Sequence, residues 1–99
     1  MKKIDKKTFK RISERCLEMA HVTDNELLMK IDQFHAKISQ GEELNSSSYT
    51  TLLDNKITDY LFSTYRSIEV TDDEKIVGSK GDEYVELFDA RDTKIHLEI

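Results

Sequence analysis

The sequence predicts an α+β fold. Three N-terminal helices, the first two an antiparallel hairpin, pack on a C-terminal antiparallel meander of three to four strands. Two observations carry this expectation. Apolar residues recur at helical spacing up to about Ser67, and after it the spacing drops to two. No proline interrupts either pattern. Ninety-nine residues suit one domain, 1–99, with one modest core that buries roughly 60–65% of the unfolded surface.

The first helix is expected over about residues 5–21. Phe9, Ile12, Cys16 and Met19 follow one another at steps of three, four and three, one face of a 3.6-residue period. Asp5 is its N-cap. The second helix, about 23–40, opens on Thr23-Asp24-Asn25-Glu26, which has the form of a capping box with Thr23 at the N-cap. Leu27, Ile31, Phe34 and Ile38 make its stripe, and Gly41 stands where a left-handed C-cap belongs. The short link between these helices implies a hairpin. The third helix, about 48–66, carries Leu53, Ile57, Tyr60 or Leu61, Thr64 and then Ile68. Its Thr and Tyr content weakens helix propensity, so packing must hold it.

Strands are expected over about 68–71, 74–78, 83–88 and 93–99. Ile68-Glu69-Val70 alternates, Asp72-Asp73 reads as a turn, and Lys75-Ile76-Val77 follows as a strand. Gly78-Ser79-Lys80-Gly81-Asp82 reads as a loop. Beyond it, Val85 and Leu87 are assigned to one face and Tyr84, Glu86 and Phe88 to the other. After a turn at 89–92, Ile95, Leu97 and Ile99 alternate with Lys94, His96 and Glu98.

Charge is divided along the chain. Residues 1–15 hold seven Lys/Arg against two acids, and residues 69–99 hold ten acids against four bases. The net charge of −5 disfavours the whole molecule as a non-specific nucleic-acid binder while leaving room for a local basic site. One cysteine allows no intrachain disulfide framework. With no apolar run behind the basic start, the expectation is a cytoplasmic protein that does not engage a membrane.

The residue patterns of most enzyme chemistries are missing. His21, His35, His96 and Cys16 lie on separate elements without metal-ligand spacing, so no metal site and no cofactor is expected. Asp72-Asp73-Glu74 lacks the ladder of an EF-hand loop. Cys16 lies on an apolar stripe, where a thiol is inert packing. Gly78-Ser79-Lys80-Gly81 has the residue types of a phosphate loop in the wrong order. A non-enzymatic protein is therefore expected.

Two charged regions remain as binding candidates. The acidic meander offers Asp72, Asp73, Asp82, Glu83, Tyr84, Glu86 and Phe88, in which aromatic anchors stand among charges. Such a face would dock on a basic protein target and inhibit or modulate it, with complementary charge steering the encounter. The alternative is a small nucleic-acid-associated regulator using Lys3, Lys6, Lys7, Lys10 and Arg11. A third reading is a self-associating module or homodimer, prompted by Tyr49, Tyr60 and Tyr65 on the third helix. In size and acidity, and in its shortage of Cys and Pro, the chain resembles in type the small immunity and inhibitor proteins of bacteria and phages. That is an analogy of size and charge; no residue pattern carries it.

Overall fold

The structure, a computed structural model, describes residues 1–18, 21–41, 44–97 and 99. The elements run β1 (Lys2–Ile4), α1 (Lys6–Glu18), β2 (His21–Val22), α2 (Asn25–Ser39), α3 (Ser46–Thr64), β3 (Ser67–Val70), β4 (Lys75–Lys80) and β5 (Glu83–Asp89). They form an α+β fold with one antiparallel sheet in the order β1-β3-β4-β5-β2.

The helices start where local chemistry can satisfy their free N–H groups. Asp5 caps α1, its Oδ1 accepting the Thr8 N–H at 2.7 Å. In α2 the cap is Asp24, not Thr23: Asp24 Oδ2 accepts the Leu27 N–H at 3.0 Å. Thr23 is drawn into the sheet instead, its N–H donating to Leu87 O and its hydroxyl to Glu86 O. Asn45 caps α3 through the Ser48 N–H. Gly41 does not take the left-handed conformation expected of it; among the described glycines only Gly81 has a positive φ.

Phe9, Ile12 and Cys16 are fully buried, as the spacing of the first helix requires, while Met19 lies outside the described residues. The expected hairpin of the first two helices is not seen. The link between them is taken up by β2, and α2 packs on α3, which in turn packs on α1. The physical reason is the open edge of β5, which β2 satisfies at His21↔Asp89 and Val22↔Phe88.

Register assigns each sheet residue to a face. Ile4, Ile68, Val70, Ile76, Gly78, Val85 and Phe88 share one face through the pairs Ile4↔Ile68, Ile68↔Gly78, Val70↔Ile76, Gly78↔Val85 and Ile76↔Phe88. This face meets the helices. Phe9 packs its ring 6.2 Å from that of Phe88, and Tyr65 lies directly over Gly78. Lys3, Ser67, Glu69, Lys75, Val77, Ser79, Tyr84 and Glu86 occupy the opposite face.

Three expectations for the sheet need correction. Gly78–Lys80 is strand, and the loop is only Gly81-Asp82. The simple alternation along β5 fails at a bulge: Ile76 pairs with Phe88 but Val77 with Glu86, which leaves Leu87 as an extra residue. Leu87 and Phe88 are consequently both buried. The last expected strand is absent as well. Arg91–Lys94 turn and Ile95–Leu97 form a 3₁₀ turn, with Ile95 fully buried and Leu97 exposed. Local bonds replace the ladder here, since the N–H and hydroxyl of Thr93 both donate to Ala90 O. Glu98 lies outside the described residues.

Candidate functional site

The seven acidic and aromatic residues singled out from the sequence do not form one patch. Asp72 and Asp73 occupy the β3–β4 turn, and Asp82, Glu83 and Tyr84 the β4–β5 turn. The six residues of β4 separate these turns by roughly 20 Å. Glu86 lies between them on the face away from the helices. Phe88 is no binding anchor; the bulge turns it inward against Phe9.

At the β3–β4 end most of the acids are engaged within the molecule. Lys75 Nζ lies 2.9 Å from Glu86 and 3.7 Å from Asp73. The hydrogen bond and charge of Glu86, with the charge of Asp73, raise the Lys75 ammonium above its usual range. The Thr71 hydroxyl bonds to Asp73 and holds its carboxyl below the usual range. Arg91 forks onto Asp89, with Nη2 at 2.6 Å and Nε at 2.9 Å, and lowers that carboxyl too. Such exposed pairs contribute little stability, but they neutralise the charge a partner would read.

The β4–β5 tip is different. Lys80 pairs with Glu83 across a two-residue turn, and Gly81 at φ +63° supplies the conformation a II′ turn demands at its first position. Arg66 braces the turn from below. Its backbone N–H donates to Ser79 O at 2.8 Å, and its guanidinium reaches Gly81 O at 3.3 Å. On this braced tip Tyr84 is 53% exposed. Asp82 and Glu83 are exposed, and neither forms an ion pair or side-chain hydrogen bond among the described residues. The tip therefore offers an exposed phenol on the face away from the helices, on a braced backbone turn that also carries the exposed carboxylates of Asp82 and Glu83, the latter assigned by register to the other face.

The basic residues are distributed over β1 and α1. Lys6 pairs with Asp59 at 3.1 Å, and Lys2 Nζ donates to Ile99 O at 2.9 Å. Lys3 stands opposite Glu69 in the β1–β3 register, so the basic and acidic ends of the chain meet in one sheet. Lys7, Lys10 and Arg11 are exposed on α1.

Cys16 and the tyrosines of the third helix are engaged in packing. Burial pushes the Cys16 thiol up to about 12, far from a reactive thiolate. Tyr49 stacks on His35, Tyr60 meets Phe34 edge-on, and Tyr65 is buried over Gly78. The three tyrosines that prompted the self-association reading thus have partners inside the molecule. Among the described residues no three His, Cys, Asp or Glu side chains come together to hold a metal ion. No described helix is long and apolar enough to cross a membrane.

One concave feature had no warning in the sequence: a hollow between the three helices and β2, walled in part by Leu28, which lies off the α2 stripe. No family model, curated protein or solved structure matches this chain.

Proposed function

We propose that this chain is a non-enzymatic protein-binding module that docks the β4–β5 tip on a basic surface of a protein target and thereby inhibits or modulates it. The observation that supports the reading is the exposed Tyr84 beside Asp82 and Glu83 on a turn held by Arg66. A braced turn presents its residues without a loop to order on binding, and tyrosine is enriched among residues that dominate interface energies. The two carboxylates would set the approach to a cationic partner and quicken the encounter. The seven-residue site inferred from sequence thus narrows to three. The single buried cysteine suits a reducing compartment, and the cytoplasm is the proposed setting.

Affinity capture from the source cell tests this, with wild type, Glu83→Lys/Tyr84→Ala and Asp72→Lys as baits. Wild type and Asp72→Lys should retain the same partner, and the tip variant should lose it. Equal capture by all three overturns the assignment.

A second reading, contact with nucleic-acid phosphates through Lys3, Lys7 and Lys10, has one observation in its favour. The first turn of α1 carries Lys6 and Lys7 and no acid, against the preference of the helix macrodipole. Its mark is binding that weakens linearly in log salt; no mobility shift at about 50 mM salt ends it.

A further inference from the structure

All of β5 runs beside β4, but on its other side only the C-terminal end has a neighbour. There β2 pairs with Asp89 and Phe88 and ends at Val22. Thr23 covers two more carbonyls, its N–H donating to Leu87 O at 2.9 Å and its hydroxyl to Glu86 O at 3.3 Å. At Asp24 the chain leaves the sheet to begin α2. No strand among the described residues pairs with Glu83–Val85 on that side.

Register shows which backbone groups are left open. Residues flanking a two-residue turn exchange hydrogen bonds, and bonded and non-bonded pairs alternate from there along an antiparallel ladder. Lys80↔Glu83 and Gly78↔Val85 are therefore bonded pairs, and Ser79↔Tyr84 is not. Two contacts agree. Ser79 O turns toward the β3 side, where it accepts the Arg66 N–H, and Glu86 O turns away from β4 to accept from Thr23. The N–H and C=O of Tyr84 and the N–H of Glu86 thus point out of the sheet at this edge.

Proteins blunt such edges with lysine, proline or a covering element. The opposite edge of the sheet follows that rule, since β1 carries Lys2 and Lys3. The open stretch of β5 reads Glu83-Tyr84-Val85-Glu86 and has neither residue. Its charge is of one sign. Glu86 is held by Lys75, but Glu83 has no ion pair among the described residues. Burial, with the charges of Asp24 and Glu26, pushes the Tyr65 phenol over Gly78 up to about 12, which puts further acids on the helix side of this edge. A second copy presenting the same edge would set glutamate against glutamate.

We infer that the open edge of β5 pairs with an extended, basic segment of the target, which joins the sheet as a strand beside Glu83–Glu86, in line with β2. The backbone groups of Tyr84 and Glu86 bond to it, and its lysines or arginines meet Glu83. The inference rests on the reading of the tip as a docking site and names its mode, strand addition.

The probe is the peptide acetyl-Lys-Val-Lys-Val-Lys-amide, titrated into the full chain and followed by amide NMR. Bound peptide should slow hydrogen exchange at Tyr84 and Glu86 and leave Val85, already bonded to β4, unchanged. The same peptide with its amides N-methylated keeps its charge and loses its donors. It should bind at least about tenfold more weakly, the factor two hydrogen bonds of ordinary net worth supply. The glutamate counterpart should not bind. Tyr84→Pro removes an N–H that faces away from β4, so the hairpin tolerates it and the peptide should no longer bind. Tyr84→Ala should weaken binding yet keep the slowed exchange at position 84 and Glu86. No binding of the lysine peptide, or equal binding of the glutamate peptide, overturns the inference. Unchanged exchange at Tyr84 and Glu86 in the bound state, or equal binding of the N-methylated peptide, overturns strand addition and leaves the tip's docking role intact. Exchange at these two amides that slows with the concentration of the chain alone assigns the edge to a second copy and overturns the inference as well.

Discussion

Gly78→Ala tests the packing of helix on sheet at its tightest point. A Cβ at residue 78 would lie 2.5 Å from Tyr65 Cγ and 2.6 and 2.9 Å from its two Cδ atoms. Comfortable carbon contacts begin near about 3.5 Å, so the ring would have to retreat by about 1 Å. Cγ is the first atom beyond the Tyr65 Cβ, and rotating the outer ring cannot move it away. The Tyr65 backbone must shift, or χ1 must leave its well. Overpacking of this kind costs about 1–3 kcal/mol, and the closeness of Cγ places the expected loss near about 3 kcal/mol. With a urea m-value of about 1–3 kcal/mol/M, the unfolding midpoint should fall by about 1–3 M. In a Tyr65→Ala background the obstruction is gone. There the added methyl should cost nothing, or stabilise slightly because alanine loses less backbone entropy than glycine in a strand. A coupling of at least about 2 kcal/mol between the two substitutions is the expected result. A Gly78→Ala protein within about 0.5 kcal/mol of wild type, or an equal loss in both backgrounds, would refute the reasoning.

Three further outcomes follow from particular contacts. Phe88→Ala should cost about 3–5 kcal/mol in urea unfolding, since it empties a fully buried site, whereas exposed Tyr84→Ala should stay within about 0.5 kcal/mol; similar losses for both would contradict the bulge at Leu87. Asp24→Ala should cost about 1 kcal/mol through loss of the α2 cap, and Thr23→Ala about half that, since only a 3.3 Å bond to Glu86 O is removed. In a carboxyl NMR titration Asp5 should protonate below its ordinary 3.8, because the Thr8 N–H bonds its charged form. Its folded value is depressed, so its contribution to stability is present above the unfolded value and disappears as pH falls through the folded one. A midpoint at or above 3.8 would contradict the cap.

Much of the fold is legible where the periodic signal is long. Phe9-Ile12-Cys16 and Leu27-Ile31-Phe34-Ile38 mark their helix faces, and the switch to alternation at Ile68 marks the sheet. The signal fails where an element is short or a local rule competes. β1 and β2 have three and two residues, too few to show a period of two, yet they form both edges of the sheet. Their presence breaks the expected helical hairpin and leaves 95–97 to turn locally. The bulge is equally silent in sequence. One extra residue at Leu87 moves Phe88 from the open face to the core, and with it a residue of the candidate site. Acidic composition was visible along the meander, but which acids are engaged by Lys75 or Arg91 depends on register and could be read only from the structure.

The claim that the hairpin tip is a binding site stands or falls on one affinity. Once a captured partner is purified, titration calorimetry should show Tyr84→Ala binding it at least about thirtyfold more weakly than wild type, the loss of about 2 kcal/mol that defines an interface hot spot. An unchanged Kd for Tyr84→Ala, in a protein of wild-type stability, would contradict the account.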